Sequence, residues 1–270
     1  MDSIITPIAK ISNQKIRLLF ELLIWSPTLH FWTSSIGKDA IIFTSINLIL
    51  YSLIKPRKRF LLLIPCFLLI AIIRPYIGIV LVISIISSTF VRVDIPKNYK
   101  VLIRLIIIFG FSYFITAGID FLKLKDGIDF NSVSSLLEYH RDVTETGTHA
   151  VDMDTLNVPL RLFTYMFRPL FFDAKGFLGF LASLDNLILL SIFIYPIIIS
   201  FTSRKFPKLK FNSINVFLIL YISINWFFLA STTSNLGLAL RHKLMFITPF
   251  AYASINATKT LQESKYLGST

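Results

Sequence analysis

Apolar runs recur from one end of this chain to the other, each parted from the next by a short charged cluster. A bilayer core of about 30 Å takes a helix of about 20 apolar residues, and only helices or closed barrels satisfy their backbone there. The runs give eight candidate spans: 16–32, 40–54, 60–73, 77–91, 101–118, 177–200, 214–230 and 244–258. Several are short, as expected where close packing thins the bilayer or where a helix stops before the far interface. Composition agrees, with 54% hydrophobic residues and a mean hydropathy of +0.71. The expected fold class is all-α: a polytopic transmembrane helical bundle of about eight spans with an outer interfacial loop and helix region. It forms a single transmembrane domain over residues 1–270, with 119–176 as an extracytoplasmic loop within it. The segment 160–172 is apolar but holds Arg161 and Arg168, which predicts an interfacial or re-entrant helix.

The net charge of +12 does not point to nucleic acid, because the basic residues alternate with apolar runs and form no single face. They do set an orientation. One set of loops and termini holds 17 of the 27 basic residues against three acids, Asp2, Asp94 and Glu263. The other set holds 10 basic residues and 10 acids. The positive-inside rule makes the first set cytoplasmic and, with eight spans, puts both termini inside. Glu21 follows Arg17 by four residues and is expected to pair with it on one helix face. Cys66 lies within an apolar run and takes no part in a disulfide.

This orientation gathers four polar segments on the outer side: 26–39, Arg74-Pro75-Tyr76, the loop 119–176, and 231–243. Arg74 and Arg168 each precede a proline, which ends or bends a helix and frees backbone groups. With Arg241 they place three guanidinium groups on one side. A guanidinium can grip a phosphate through its paired donors, whereas a lone arginine at a span end serves equally to snorkel to the interface. Arg161 lies seven residues before Arg168 on the same helical face and joins this set as a substrate-binding candidate. Lys38 and Asp39 immediately precede a span. Asp39 suits a helix N-terminus, and as a chemical group it can take a proton from an acceptor hydroxyl, with Lys38 beside a phosphate. His30 and Trp32 lie just upstream as sugar-contacting candidates, although an interfacial tryptophan more often anchors a helix. Asp152-Met153-Asp154 has the spacing that holds a divalent metal against a diphosphate, a pattern common by chance in acidic loops. Asp185-Asn186, in the outer half of its span, is expected to hydrogen-bond between helices or face a cavity.

The strings SPTLHFWTSSIGKDA, IRPYIG, FTYMFRPLFFDAKGFLGFLASLDNLILL and SNLGLALRHKLMF resemble a family of bacterial polytopic proteins from polysaccharide-biosynthesis clusters. That family is similar to the multi-spanning GT-C-type glycosyltransferases that use polyprenyl-linked sugars. The resemblance covers roughly residues 20–250. It implies a cytoplasmic (inner) membrane protein that transfers a sugar or oligosaccharide from a polyprenyl-phosphate carrier at the outer face. Its implied partners are the polyprenyl-linked sugar, the lipid bilayer and other polysaccharide-synthesis proteins. Its implied cofactor is open, with a divalent metal as one option. Family members carry further spans ahead of the SPTLHFW segment, which gives the expectation that this chain lacks the N-terminal spans. A repeat-unit polymerase, a lipid-linked sugar flippase and a non-catalytic scaffold subunit are the alternatives.

Overall fold

The computed structural model describes residues 14–34, 37–54, 59–90, 151–153, 155–203 and 212–266. The candidate span 101–118, the acidic stretch 119–150 and Asp154 lie outside them. Among the described residues the architecture is all-α. Val151 N–H donates to the Ser234 carbonyl at 2.9 Å, next to Asn235, a single bridge residue.

The described residues form ten helices in order: α1 Gln14–Ile24, α2 Pro27–Thr33, α3 Lys38–Ile54, α4 Leu63–Ile73, α5 Pro75–Phe90, α6 Val158–Phe167, α7 Gly176–Ser203, α8 Ser213–Thr232, α9 Leu236–Lys243 and α10 Ile247–Tyr266. A 3-10 turn, Phe60–Leu62, leads into α4. Two of these helices, over Gly176–Thr202 and Ser213–Thr232, are long and apolar enough to cross a membrane. Their lengths correspond to about 40 and 30 Å at a rise of 1.5 Å per residue. Leu63–Ile73 and Pro75–Ser88 are apolar but shorter.

The expected span 16–32 is two helices, not one. The chain breaks at Trp25 and Ser26, where the Ser26 side chain caps α2 by accepting from Leu29 N–H at 3.3 Å and Pro27 takes the first helical position. The break wins because a serine cap followed by proline sets the new helix direction more strongly than continuous hydrophobicity extends the old one. The expected span 244–258 is likewise displaced. Leu244, Met245 and Phe246 form a turn, and α10 begins after it and carries Lys259, Glu263 and Lys265 towards its end. The segment 160–172 yields only the ten-residue α6, which stops at Arg168 ahead of a cis Arg168–Pro169 bond. Arg17 and Glu21 do pair on α1, at 3.1 Å.

α5 packs along α8, α3 along α4, and α7 against both α10 and α1. The core between them is aromatic. Phe167, Phe193, Trp226 and Phe250 form a ring cluster with centroids 5.4–6.3 Å apart. Two of the large rings place their polar groups on backbone carbonyls: Trp226 Nε1 donates to the Leu162 carbonyl at 3.0 Å, and the Tyr221 hydroxyl to the Met245 carbonyl at 3.0 Å. Outside the core, Leu61, Ile72, Phe177 and Phe201 are each at least 72% exposed. In water such a surface is costly; against lipid it is the ordinary outer face of a bundle.

Candidate functional site

Four helix ends meet at one end of the bundle. Asp39 is the second residue of α3, placed where the positive end of the helix dipole favours a carboxylate. Arg74 stands between α4 and α5. Pro75 blocks continuation, so the Arg74 backbone leaves helical geometry, and its N–H still closes the last turn on the Ile70 carbonyl at 2.8 Å. Arg241 lies in the last turn of α9, a helix started by the Asn235 side chain, which accepts from Gly237 N–H at 2.8 Å.

These three side chains form one cluster. Arg74 Nη2 donates to Asp39 Oδ1 at 2.9 Å, and Arg241 Nε donates to Asp39 Oδ2. The carboxylate is 8% exposed, so both oxygens meet guanidinium donors in a largely dry setting. Arg74 also donates to the Tyr76 hydroxyl, whose ring packs on Phe228. The Arg241 guanidinium lies 5.6 Å from the Trp32 ring centroid. His242 sits beside the cluster with Nδ1 buried and without a hydrogen-bond partner. Its burial, and then the charge of Arg74, push its pKa down to about 3, so the imidazole stays neutral.

The third arginine goes elsewhere. Arg168 makes a bidentate pair with Asp173, Nε and Nη2 donating to the two carboxylate oxygens at 2.7 Å each. Asp173 also accepts from Leu170 N–H, closing the elbow between α6 and α7. The Arg168 guanidinium holds the Asp173 carboxyl below the usual carboxylate range. The Arg168 carbonyl accepts from Lys243, which ties this elbow to α9 next to Arg241.

Arg161 is occupied with its own loop, donating to the Met153 carbonyl at 3.1 Å and the Leu156 carbonyl at 3.3 Å. His30 is exposed and pairs through Nε2 with the Ile24 carbonyl, its ring 6.0 Å from Trp25. Lys38 is exposed at the first position of α3. Asp152 forms a turn in which Oδ1 accepts from Thr155 N–H. Among the described residues no group of three His, Cys, Asp or Glu side chains could hold a metal ion.

A cavity of about 510 Å³ abuts the cluster through Trp32. Phe31, Phe177, Leu181 and Leu240 make its walls apolar, and Asp173 and Lys175 are its charged lining. Sequence reasoning did not single out Tyr76, Asp173, His242 or Lys243. The one available signal was the run Arg241-His242-Lys243, three polar residues in the last turn of a helix.

The chain matches no family model, no curated protein and no solved structure.

Proposed function

We propose that this chain is a multi-pass protein of the bacterial cytoplasmic membrane that transfers a sugar or oligosaccharide from a polyprenyl-phosphate carrier at the outer face, during surface polysaccharide synthesis. In this reading the spans number about eight, both termini are cytoplasmic, and the Asp39 end of the bundle faces outward. The observation that carries it is the Asp39–Arg74–Arg241 cluster: two guanidinium groups from distant segments converge on one anion. An anionic phosphate or diphosphate fits the same donors, because Arg presents planar N–H pairs to either oxyanion.

The chemistry follows from an exchange. In this scheme the Asp39 carboxylate and the lipid phosphate are alternative partners of the two arginines. An incoming diphosphate takes over Arg74 and Arg241 and releases the carboxylate. Asp39 then accepts the proton of the acceptor hydroxyl as that oxygen bonds to the sugar anomeric carbon. The bond from that carbon to the phosphate oxygen breaks, and the two arginines stabilise the charge that develops on the leaving phosphate. The apolar cavity beside Trp32 suits the carrier's hydrocarbon chain, with Lys175 and Lys38 as further cations for the phosphate. Neutral His242 supplies a hydrogen-bonding group that does not add charge. Arg168 acts in this scheme by shaping the α6–α7 elbow.

The deciding experiment is transfer from a labelled polyprenyl-linked sugar by membranes holding equal amounts of parent and variant protein. Loss in both Arg74→Lys and Arg241→Lys, with normal insertion, supports the enzyme. Two silent variants would leave the scaffold reading.

A further inference from the structure

We propose that Lys243 and Asp185 together form a proton-binding site, and that its occupancy sets where α9 holds Arg241. This goes beyond the transfer reading and does not depend on it.

The site is built from buried polar groups that the transfer scheme leaves unused. Lys243 is 3% exposed, Asp185 7% and Asn186 2%. The Lys243 amine donates to Asn186 Oδ1 at 2.9 Å and to the Arg168 carbonyl at 3.3 Å. Both acceptors are uncharged, and two acceptors match the two N–H groups of a neutral amine. An ammonium has three donors. The Asn186 amide is fixed in turn by donating to the Pro169 carbonyl at 2.9 Å. On the neighbouring residue, Asp185 Oδ2 accepts from Thr28 N–H at 2.8 Å, while Oδ1 is buried with no partner. An unpaired buried carboxylate oxygen is costly, and the extra N–H that Lys243 gains on protonation is the donor that would satisfy it.

Burial lowers the Lys243 pKa to about 7, with the charge of Asp185 opposing that shift. The other charged groups around it are accounted for. On α9 itself Arg241 is held by Asp39, and His242 is neutral. From the elbow come Arg168 and Asp173, paired with each other, and Lys175. Arg161 of α6 is bound to loop carbonyls, His30 of α2 is exposed, and α8 carries no charged residue. Protonation therefore has one direct consequence: the ammonium is drawn towards Asp185 Oδ1. Lys243 ends α9, two residues after Arg241, so this movement reaches the last turn and changes how Arg241 meets Asp39 and the Trp32 ring.

Trp32 provides the readout. The full chain is placed in lipid nanodiscs with His30, His140 and His149 changed to Gln, which leaves His242 as the only imidazole. The Trp32 contribution to emission, taken as the difference from Trp32→Phe, is followed from about pH 5.5 to about pH 9. One transition centred near pH 7 is expected. It should vanish in Lys243→Met. In Asp185→Asn it should move down by about one pH unit, because the carboxylate that favours the ammonium is gone. A flat Trp32 signal, or a transition with the same midpoint in both variants, overturns the proposal. If Lys243→Met does not fold, Asp185→Asn decides alone, and an unchanged midpoint is the refuting result.

Discussion

Asp39 and Arg241 lie 202 positions apart in sequence and are joined side chain to side chain, the guanidinium Nε donating to carboxylate Oδ2. With Arg74 on the other oxygen, the three residues make an ion cluster whose members come from three separate parts of the chain. Arg74→Lys and Arg241→Lys keep the charge but lose the planar fork. Each should cost about 3 kcal/mol of transition-state stabilisation, or about a hundredfold in transfer rate. Arg168→Lys should cost far less in rate and should show up mainly as lower thermal stability, by about 1 kcal/mol, since its partner Asp173 lies outside the cluster. Initial rates and melting curves on the same membrane preparations check both halves.

Asp39→Asn separates the two duties assigned to this carboxylate. Transfer should fall with the base, while affinity for inorganic pyrophosphate should rise by about tenfold, because no internal anion competes for the arginines. Calorimetric titration of the detergent-solubilised protein measures the second effect. Weaker pyrophosphate binding in the variant would show that Asp39 builds the site instead of occupying it.

The Arg168–Asp173 pair predicts an acid limb. Asp173 is held below its ordinary value of 3.8, so its stabilising contribution is fully present above that value and disappears as pH falls through the lowered one. The melting temperature should therefore drop on acidification below about pH 4, and Asp173→Asn should flatten that part of the curve. An identical acid limb in the variant would assign the drop to other groups.

The proposed orientation is tested with single cysteines in a Cys66→Ser background. Lys38→Cys, Asn157→Cys and Lys175→Cys should react with an impermeant thiol reagent on intact cells, and Arg59→Cys and Asn212→Cys should not. Labelling of both groups would remove the one-sided reading.

The helices were legible in the sequence wherever a continuous apolar run had no competing cap. Residues 40–54 and 77–91 emerge as α3 and α5 within two residues at each end, and 214–230 as α8. The run 16–32 misled because its serine cap and proline act locally, while hydropathy averages over them. The site was legible in part. Asp39, Arg74 and Arg241, from the segments 26–39, 74–76 and 231–243, meet in one cluster. Which of the arginines would meet was not legible, since alternation of loops fixes a side but not an azimuth around the bundle. Arg168 was drawn away by a partner five residues on, at a spacing that belongs to an elbow and not to a helix face. His242 and Lys243 follow Arg241 directly, but each step along a helix turns about 100°, so three neighbours can serve three surroundings.

The separation of Asp39 from Arg241 also sets an order of assembly. A ribosome delivers Asp39 and Arg74 long before α9, and chains are threaded and begin to fold from the N-terminus. Until α9 is made the carboxylate has one arginine, and the second follows it 202 positions later. Before α9 docks, one oxygen of a largely buried carboxylate lacks its guanidinium donor, and a buried charge left partly unpaired is costly. The cluster thus acts as a seal that closes only when α9 has joined α3 and the start of α5.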